Sequence, residues 1–275
     1  MSFPKLHLKL CVFLCLTTML SSITSLLGCG GTPKTEASTQ MPPSPSPGAS
    51  IDPSTPAGAK TISQIEDLGN WQWCTRQLNG SACASGAGNA GTSMTSHQST
   101  PSQDGSSARF SISGSTGYSN ALWWNSVAND SSVSHFTYDL WFYIDHPEFS
   151  EALEFDVNQS FGGLRYTWGT ECAFKDSHRW DIWDAAAFKW VPTTVPCNPF
   201  SANTWHHIVW QFERVNHQMH YISLTVDNNT MPVDIYRNPQ TNWNFDDINV
   251  AFQLDGDIKQ HPYNVWLDQV SLTMW

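Results

Sequence analysis

The sequence contains few basic residues. Only 13 of its 275 residues are Lys or Arg, against 24 Asp and Glu, so the formal net charge is −11 at pH 7. The sequence has no basic patch and no arginine run. Because nucleic acids bind proteins mainly through Lys and Arg, nucleic acid is not an expected partner, and strongly anionic polymers are disfavoured too.

Helical periodicity is also missing. No ten-residue segment shows the apolar period of an amphipathic helix, and no internal repeat is present. Instead, apolar and polar residues alternate with a period of two, and turn signals such as Asp227-Asn228-Asn229 separate the runs. The alternating segments are 136–144, 153–158, 205–215, 220–226, 249–255 and 265–275. This pattern predicts an all-β fold, an antiparallel sandwich of two sheets.

The longest apolar run, Leu10 to Leu20, is too short for a permanent membrane span. Lys5 and Lys9 precede it, and Leu26-Leu27-Gly28-Cys29 follows. This arrangement predicts a signal peptide over residues 1–28. The last four residues resemble the lipobox of bacterial lipoproteins, which implies cleavage before Cys29 and lipidation of its thiol. The resemblance further implies export to the cell envelope and membrane attachment through the lipid. The outer membrane is favoured, with a periplasmic or a surface-facing domain.

Large apolar residues are almost absent from Gly30 to Lys60, where Pro, Ser, Thr, Gly and Ala dominate. Such a segment cannot bury a core, so residues 29–60 are predicted to be the lipidated cysteine and a disordered tether. All fourteen Trp lie between Trp71 and Trp275. Residues 61–275 are therefore predicted to form one large β-domain, which we expect to be a monomer.

Four of the seven cysteines remain once Cys11 and Cys15 leave with the signal peptide and Cys29 is lipidated. In an exported protein, an even number of cysteines predicts disulfides. Three connectivities exist. The local one is favoured because each pair brackets a loop rich in Gly, Pro, Ser or Asn; it joins Cys74 to Cys83 and Cys172 to Cys197. No pair has zinc-knuckle spacing, so no metal site is expected from the cysteines.

A family resemblance begins in the paired segments 205–210 and 220–226, which resemble the central strands of laminin-G-like domains. Segment 265–273 is similar to the closing strand of the concanavalin A-like lectin/glucanase jelly rolls. The resemblance covers residues 108–275 and implies a jelly-roll sandwich. No cofactor is required. Some members bind a structural calcium near the position of Asp268, although an Asp bonded to nearby backbone is the simpler interpretation.

The segment Leu153 to Gln159 resembles the active strand of the laminarinase and lichenase clan of that superfamily. The resemblance implies a nucleophile at Glu154 and a helper carboxyl at Asp156. The acid/base position falls on Asn158 or Gln159, and an amide cannot donate the required proton. Hydrolysis would therefore need a carboxyl from another strand, such as Asp139 or Asp255.

A lyase is a further alternative, since Gln218-Met219-His220 looks like the Gln-x-His motif of alginate lyases. Tyr166, Tyr221 and Arg165 are available as partners, but the companion motifs of that family are absent. An acidic domain also suits an anionic sugar badly.

Binding without catalysis is the leading hypothesis: a carbohydrate-binding lipoprotein whose ligand is a polysaccharide or another glycan. Aromatic faces and hydrogen-bonding side chains on one groove are typical of sugar sites. The predicted groove residues are Trp141, Tyr143, Glu154, Asp156, Asn158, Arg165, His207, Gln211, Gln253 and Asp255. The alternatives are a glycoside hydrolase or polysaccharide lyase in the same groove, and a protein-interaction module of the envelope.

Overall fold

The computed structural model describes residues 55–75, 88 and 90–275, which form seventeen strands and two short 3-10 turns. The strands are β1 (Lys60–Ile62), β2 (Gln72–Cys74), β3 (Gly91–Gln98), β4 (Ser107–Ser113), β5 (Asn120–Ala128), β6 (His135–Ile144), β7 (Ser150–Phe161), β8 (Leu164–Trp168), β9 (Thr170–Ala173), β10 (Arg179–Asp184), β11 (Lys189–Pro196), β12 (Trp205–Val215), β13 (Gln218–Val226), β14 (Asn229–Arg237), β15 (Gln240–Thr241), β16 (Asp247–Gly256) and β17 (Tyr263–Met274). The turns are Ile65–Asp67 and Pro147–Phe149. All strand pairings are antiparallel, so the predicted all-β class is confirmed.

The strands form two sheets. The first has the order β14-β13-β12-β6-β17-β4-β3, with β1 added to β17. The second has the order β11-β10-β9-β7-β16-β5-β2, with β8 pairing β7 and β15 pairing β8. The chain changes sheet eight times among the described strands, after β1, β2, β4, β5, β6, β11, β14 and β16. These crossings confirm the predicted two-sheet jelly-roll sandwich.

The core lies between the sheets because the alternation within each strand directs its apolar residues inward. On β6, Leu140 and Phe142 are fully buried, and on β7 Phe155 is fully buried. The rings of Phe142 and Phe155 lie 5.5 Å apart and join the two sheets. Phe155 in turn contacts Phe252 of β16 at 5.3 Å. The opposite residues of each strand therefore form two outer faces, one on each sheet.

One disulfide ties down the edge of the second sheet. Cys172 of β9 is bonded to Cys197, which follows β11, with 5.5 Å between their Cα atoms. This pairing confirms one of the two predicted bridges. Cys74 is disulfide-bonded, and Cys83, its predicted partner, lies outside the described residues. The signal peptide 1–28, Cys29 and most of the 29–60 tether also lie outside them.

The N-terminal part of the domain packs against the first sheet. Strand β1 pairs with β17, and the turn Ile65–Asp67 inserts two fully buried side chains, Ile65 and Glu66. The backbone N–H of Val270 donates to Glu66 Oε2 at 3.0 Å, at an irregularity in β17. Within the described residues no helix is long and apolar enough to cross a bilayer.

Candidate functional site

The polar residues of β7 lie on the outer face of the second sheet. Leu153, Phe155 and Val157 point into the core and are fully buried. Glu154, Asp156 and Asn158 alternate with them, as predicted, and so face away from the core. The central position of β7 between β9 and β16 sets them in the middle of this face.

A cleft of about 700 Å³ lies on the same outer face. Its floor includes Asp156 and Asn158 of β7 and Trp124 of β5. The segment between β15 and β16 forms a wall and contributes Trp243 and Phe245. Phe245 is 71 % exposed, which is unusual for a large apolar side chain. The cleft therefore combines flat aromatic surfaces with hydrogen-bonding groups.

Arg165 of β8 is held at the cleft by several contacts. Its Nε and Nη2 atoms donate to Asn158 Oδ1 at 3.2 and 3.0 Å, and Nε also donates to Thr167 Oγ1 at 3.1 Å. The guanidinium lies 4.3 Å from the ring centroid of Trp243, a cation–π distance. Burial lowers the pKa of Arg165, although it remains charged. This residue links the floor of the cleft to its aromatic wall.

Amide side chains continue the floor. Asn158 Nδ2 donates to Asn249 Oδ1 at 3.0 Å, and Asn249 Nδ2 donates to Asp247 Oδ2 at 2.8 Å. Asn158 also accepts from Arg165, so both ends of its amide are engaged. The chain of hydrogen bonds fixes the orientation of these groups before any ligand arrives.

Carboxyl groups gather beside the cleft, where β9, β7 and β16 run next to one another. Glu154 is the Cα partner of Glu171 on β9 and of Gln253 on β16. Gln253 Nε2 donates to Glu154 Oε1 and, at 3.1 Å, to Asp255 Oδ1. One carboxylate oxygen each from Glu154, Glu171 and Asp255 lie within 4.8 Å of one another. We call these three residues the carboxyl cluster.

Burial perturbs the titration of these acids. It raises the pKa of Glu171 to about 9, with the negative charge of Asp255 as the next cause. It raises the pKa of Asp255 to about 7, against hydrogen bonds from Gln253 and Glu154 that lower it. Burial and the charge of Asp255 also raise the pKa of Glu154 well above its ordinary value. Burial raises the pKa of Asp156 to about 7, although a hydrogen bond from the Thr170 N–H at 3.0 Å acts to lower it.

Four of the predicted groove residues do not lie on the second sheet, where the cleft is. Trp141 and Tyr143 belong to β6, and His207 and Gln211 belong to β12; both strands are in the first sheet. Trp141 stacks on His207 with 4.5 Å between ring centroids, on the outer face of that sheet. The expectation that these four share a groove with Glu154 is wrong, because the two sets lie on opposite surfaces of the sandwich.

The separation of the two sheets also decides which of the two predicted carboxyls, Asp139 or Asp255, could act together with Glu154. Asp139 lies on β6, in the first sheet, where its Oδ1 is 2.7 Å from His207 Nε2. It therefore cannot assist Glu154. Asp255 does lie beside Glu154, as its hydrogen bond to Gln253 shows.

The lyase residues are not brought together. His220 lies on the first sheet, with Nδ1 2.7 Å from Glu213 Oε1 and Nε2 3.0 Å from Asp234 Oδ1. Tyr221 points into the core, and its hydroxyl donates to Thr167 O at 3.2 Å. Arg165 lies on the second sheet. The Gln-x-His resemblance therefore corresponds to no common site.

Asp268, the predicted calcium position, is engaged by hydrogen bonds through one of its oxygens. Its Oδ2 accepts from Ser102 Oγ at 2.8 Å and from the backbone N–H of Gln103 at 2.5 Å, the simpler of the two interpretations. Its Oδ1 and Glu66 Oε1 are buried and have no hydrogen-bond partner. A buried carboxylate oxygen without a partner is the kind of ligand that a hard cation accepts, and calcium at Asp268 stays a prediction.

Several residues of this face were missed from the sequence. Glu171 lies on a strand of only four residues, too short to show an alternation. The one available signal was the adjacent Cys172. Because adjacent strand residues face opposite sides, an inward-facing Cys172 places Glu171 on the outer face. Trp243 and Phe245 lie in a loop, where no period applies, and Trp124 gave no sign of which sheet it joins.

Comparisons with known proteins give distant matches only. No family model matches the chain, and no curated protein sequence matches it. A solved structure concerning carbohydrate-binding modules of the β-sandwich superfamily is 11 % identical, with a TM-score of 0.38; the alignment covers 75 % of this chain and 58 % of that one. This chain thus spans less than two thirds of that protein's length.

Two further structures are covered almost completely by the alignment. A carbohydrate esterase from Shiga toxin-encoding bacteriophage phi24B is 12 % identical over 78 % of this chain and 99 % of its own, with a TM-score of 0.47. The cellulose induced protein Cip1 is 10 % identical over 77 % and 96 %, with a TM-score of 0.46.

Proposed function

We propose that the cleft on the second sheet binds a sugar chain. The observation that carries this proposal is the meeting of aromatic faces, at the half-buried Trp124 and the exposed Phe245, with the oriented amides of Asn158 and Asn249. Sugar rings stack on aromatic faces, while their hydroxyls pair with amides and carboxylates. The volume of about 700 Å³ lies within the range of ligand sites.

Charge restricts the sugar to a neutral polymer. Asp156, Asp246 and Asp247 line the cleft, against the single cation Arg165 among its described lining residues. A uronic acid or sulfated chain would meet this negative charge at close range. The ligand we infer is therefore an uncharged polysaccharide, held without covalent chemistry.

Retardation in native gels that contain polysaccharide tests the proposal. The full chain should be retarded by at least one neutral polysaccharide in a panel, and F245A should lose that retardation. The matched control is F188A, because Phe188 is 66 % exposed but does not line the cleft. Absence of retardation throughout the panel would contradict sugar binding and favour a protein partner; equal loss in F188A would contradict the assigned cleft.

Glycoside hydrolysis is the second candidate, and one observation favours it. Asp255 supplies a carboxyl beside Glu154, which compensates for the amide at Asn158. Retaining glycosidases use two carboxyl groups about 5–5.5 Å apart. New reducing ends from a retarding polysaccharide, lost in E154Q, would establish hydrolysis and overturn binding without catalysis.

The tethering of the domain is likewise a proposal. We infer export, cleavage before Cys29 and lipid attachment to the envelope, with the outer membrane as the favoured location. Support comes from Lys5 and Lys9, the short apolar run 10–20 and the lipobox-like Leu26-Leu27-Gly28-Cys29. A lipid anchor would hold the cleft at a membrane surface, where polysaccharides of the envelope or the surroundings are within reach.

A further inference from the structure

The carboxyl cluster converges from three adjacent strands. Glu171 of β9 and Glu154 of β7 are Cα partners, and Asp255 follows Gln253, the β16 partner of Glu154, by two residues. Glu154 and Asp255 are 7 % exposed and Glu171 is 8 % exposed. Their oxygens lie within 4.8 Å of one another, so three acids share one small, nearly enclosed space.

No protein cation neutralises this space. In the described part of the chain, no Lys, Arg or His makes an ion pair with any member of the cluster. Gln253, which carries no charge, donates hydrogen bonds to Glu154 and Asp255, and Glu154 and Asp255 share a further hydrogen bond.

Glu171 is a second and separate indication of a ligand. Glu171 is 8 % exposed, and burial and neighbouring negative charges, with no hydrogen bond, account for the raised pKa of its carboxyl. Its oxygen is directed at the oxygens of Glu154 and Asp255. Buried carboxylates are normally paired, hydrogen-bonded or bound to a metal, and a cation in this space would supply the partner that Glu171 lacks.

We propose that Glu154, Glu171 and Asp255 form a binding site for a calcium ion. All donors are carboxylate oxygens, which hard cations prefer, and the cluster contains no His or Cys of the kind zinc prefers. Oxygens bound to one Ca²⁺ at about 2.3–2.6 Å lie no more than about 5 Å apart, which the cluster satisfies.

Magnesium fits this space less well. Mg²⁺ requires near-octahedral geometry at about 2.0–2.1 Å and usually keeps several water molecules. Side chains only 7–8 % exposed leave little room for such a hydration shell. Calcium accepts irregular sets of ligands and sheds its water more easily.

Calcium in this site has a consequence for the reaction chemistry. Carboxylates that ligate a cation are held deprotonated, so Glu154 and Asp255 would not exchange protons with a sugar. The cluster lies next to Asp156, which lines the cleft, and a bound ion would stiffen β7 beside the cleft. The proposal thus favours binding over hydrolysis, but it does not depend on sugar binding.

Calorimetric titration with CaCl₂ tests the site. The full chain, freed of metal with EDTA and dialysed to pH 8, should bind calcium at the cluster, and E171Q should weaken that binding by about 10- to 100-fold. The matched control is D181N, because Asp181 is the Cα partner of Glu171 on β10 but lies outside the cluster. D181N should bind as the unmodified chain does, and MgCl₂ should bind more weakly than CaCl₂.

A second variant separates the cluster from Asp268, where calcium is also predicted. D268N should keep the binding that E171Q loses. The proposal is overturned if the unmodified chain binds no calcium, or if E171Q binds as tightly as the unmodified chain. Folding is controlled by thermal unfolding in EDTA, where E171Q should be no less stable than the unmodified chain, because Gln resembles the protonated acid. If E171Q does not fold, E154Q replaces it with the same expected loss.

Discussion

Glu66 allows a sharp test of the electrostatics of the fold. Its side chain is fully buried beneath β17, where Val270 N–H donates to Oε2 and Oε1 has no partner. Burial raises its pKa from the ordinary 4.5 to about 8, and the charges of Asp268 and Asp67 act in the same direction. The substitution E66Q keeps the size of the side chain and removes the titration.

The sign of the effect follows from linkage. The folded state holds the Glu66 proton more tightly than the unfolded chain does. The stability that this proton provides is fully present below pH 4.5 and is lost as the pH rises through about 8. One unit of pKa corresponds to about 1.36 kcal/mol, so the free energy of unfolding should fall by about 3–5 kcal/mol across that window.

E66Q should therefore exceed the unmodified chain in stability by about 3–5 kcal/mol at pH 8.5 and match it within about 1 kcal/mol at pH 4.5. Urea unfolding followed by tryptophan fluorescence, in EDTA to exclude divalent cations, measures the difference at several pH values. E148Q is the control, because Glu148 is exposed and its pKa is lowered by a hydrogen bond with His146. A difference between E66Q and the unmodified chain that does not change with pH would refute the reasoning.

Two predictions concern the cysteines. Replacing both Cys172 and Cys197 by Ala should lower the free energy of unfolding by about 3–4 kcal/mol, because their bond closes a loop with a sequence separation of 25 residues; unchanged urea unfolding would contradict this. Radioactive palmitate fed to cells that express the full chain should label it, and C29S should abolish the label, whereas label retained in C29S would exclude lipidation at that residue.

The long strands were predictable because their period of two extends over many residues. The alternating segments 136–144 and 205–215 lie within β6 and β12, and 265–275 overlaps β17 almost completely. The sheet to which each strand belongs was not predictable in this way. Alternation separates inward from outward residues, but a sandwich has two outward faces, and only non-local pairing assigns a strand to one of them. Trp141 and Glu154 were therefore placed together although they lie on different sheets.

The site was only partly predictable for a related reason. Asp156, Asn158 and Arg165 line the cleft as expected. Glu171 and Phe245 escaped because a four-residue strand and a loop carry too little pattern to show where a side chain points. Their positions depend on strands that meet only after the whole sandwich has formed.

The position of β17 has a consequence for how the protein is made. This strand follows all the others along the chain, yet it lies inside the first sheet, between β6 and β4. A polypeptide that emerges N-terminus first must wait for residues 263–274 before β6 and β4 gain the neighbour between them. Vectorial synthesis therefore leaves the first sheet of the sandwich incomplete until this strand arrives.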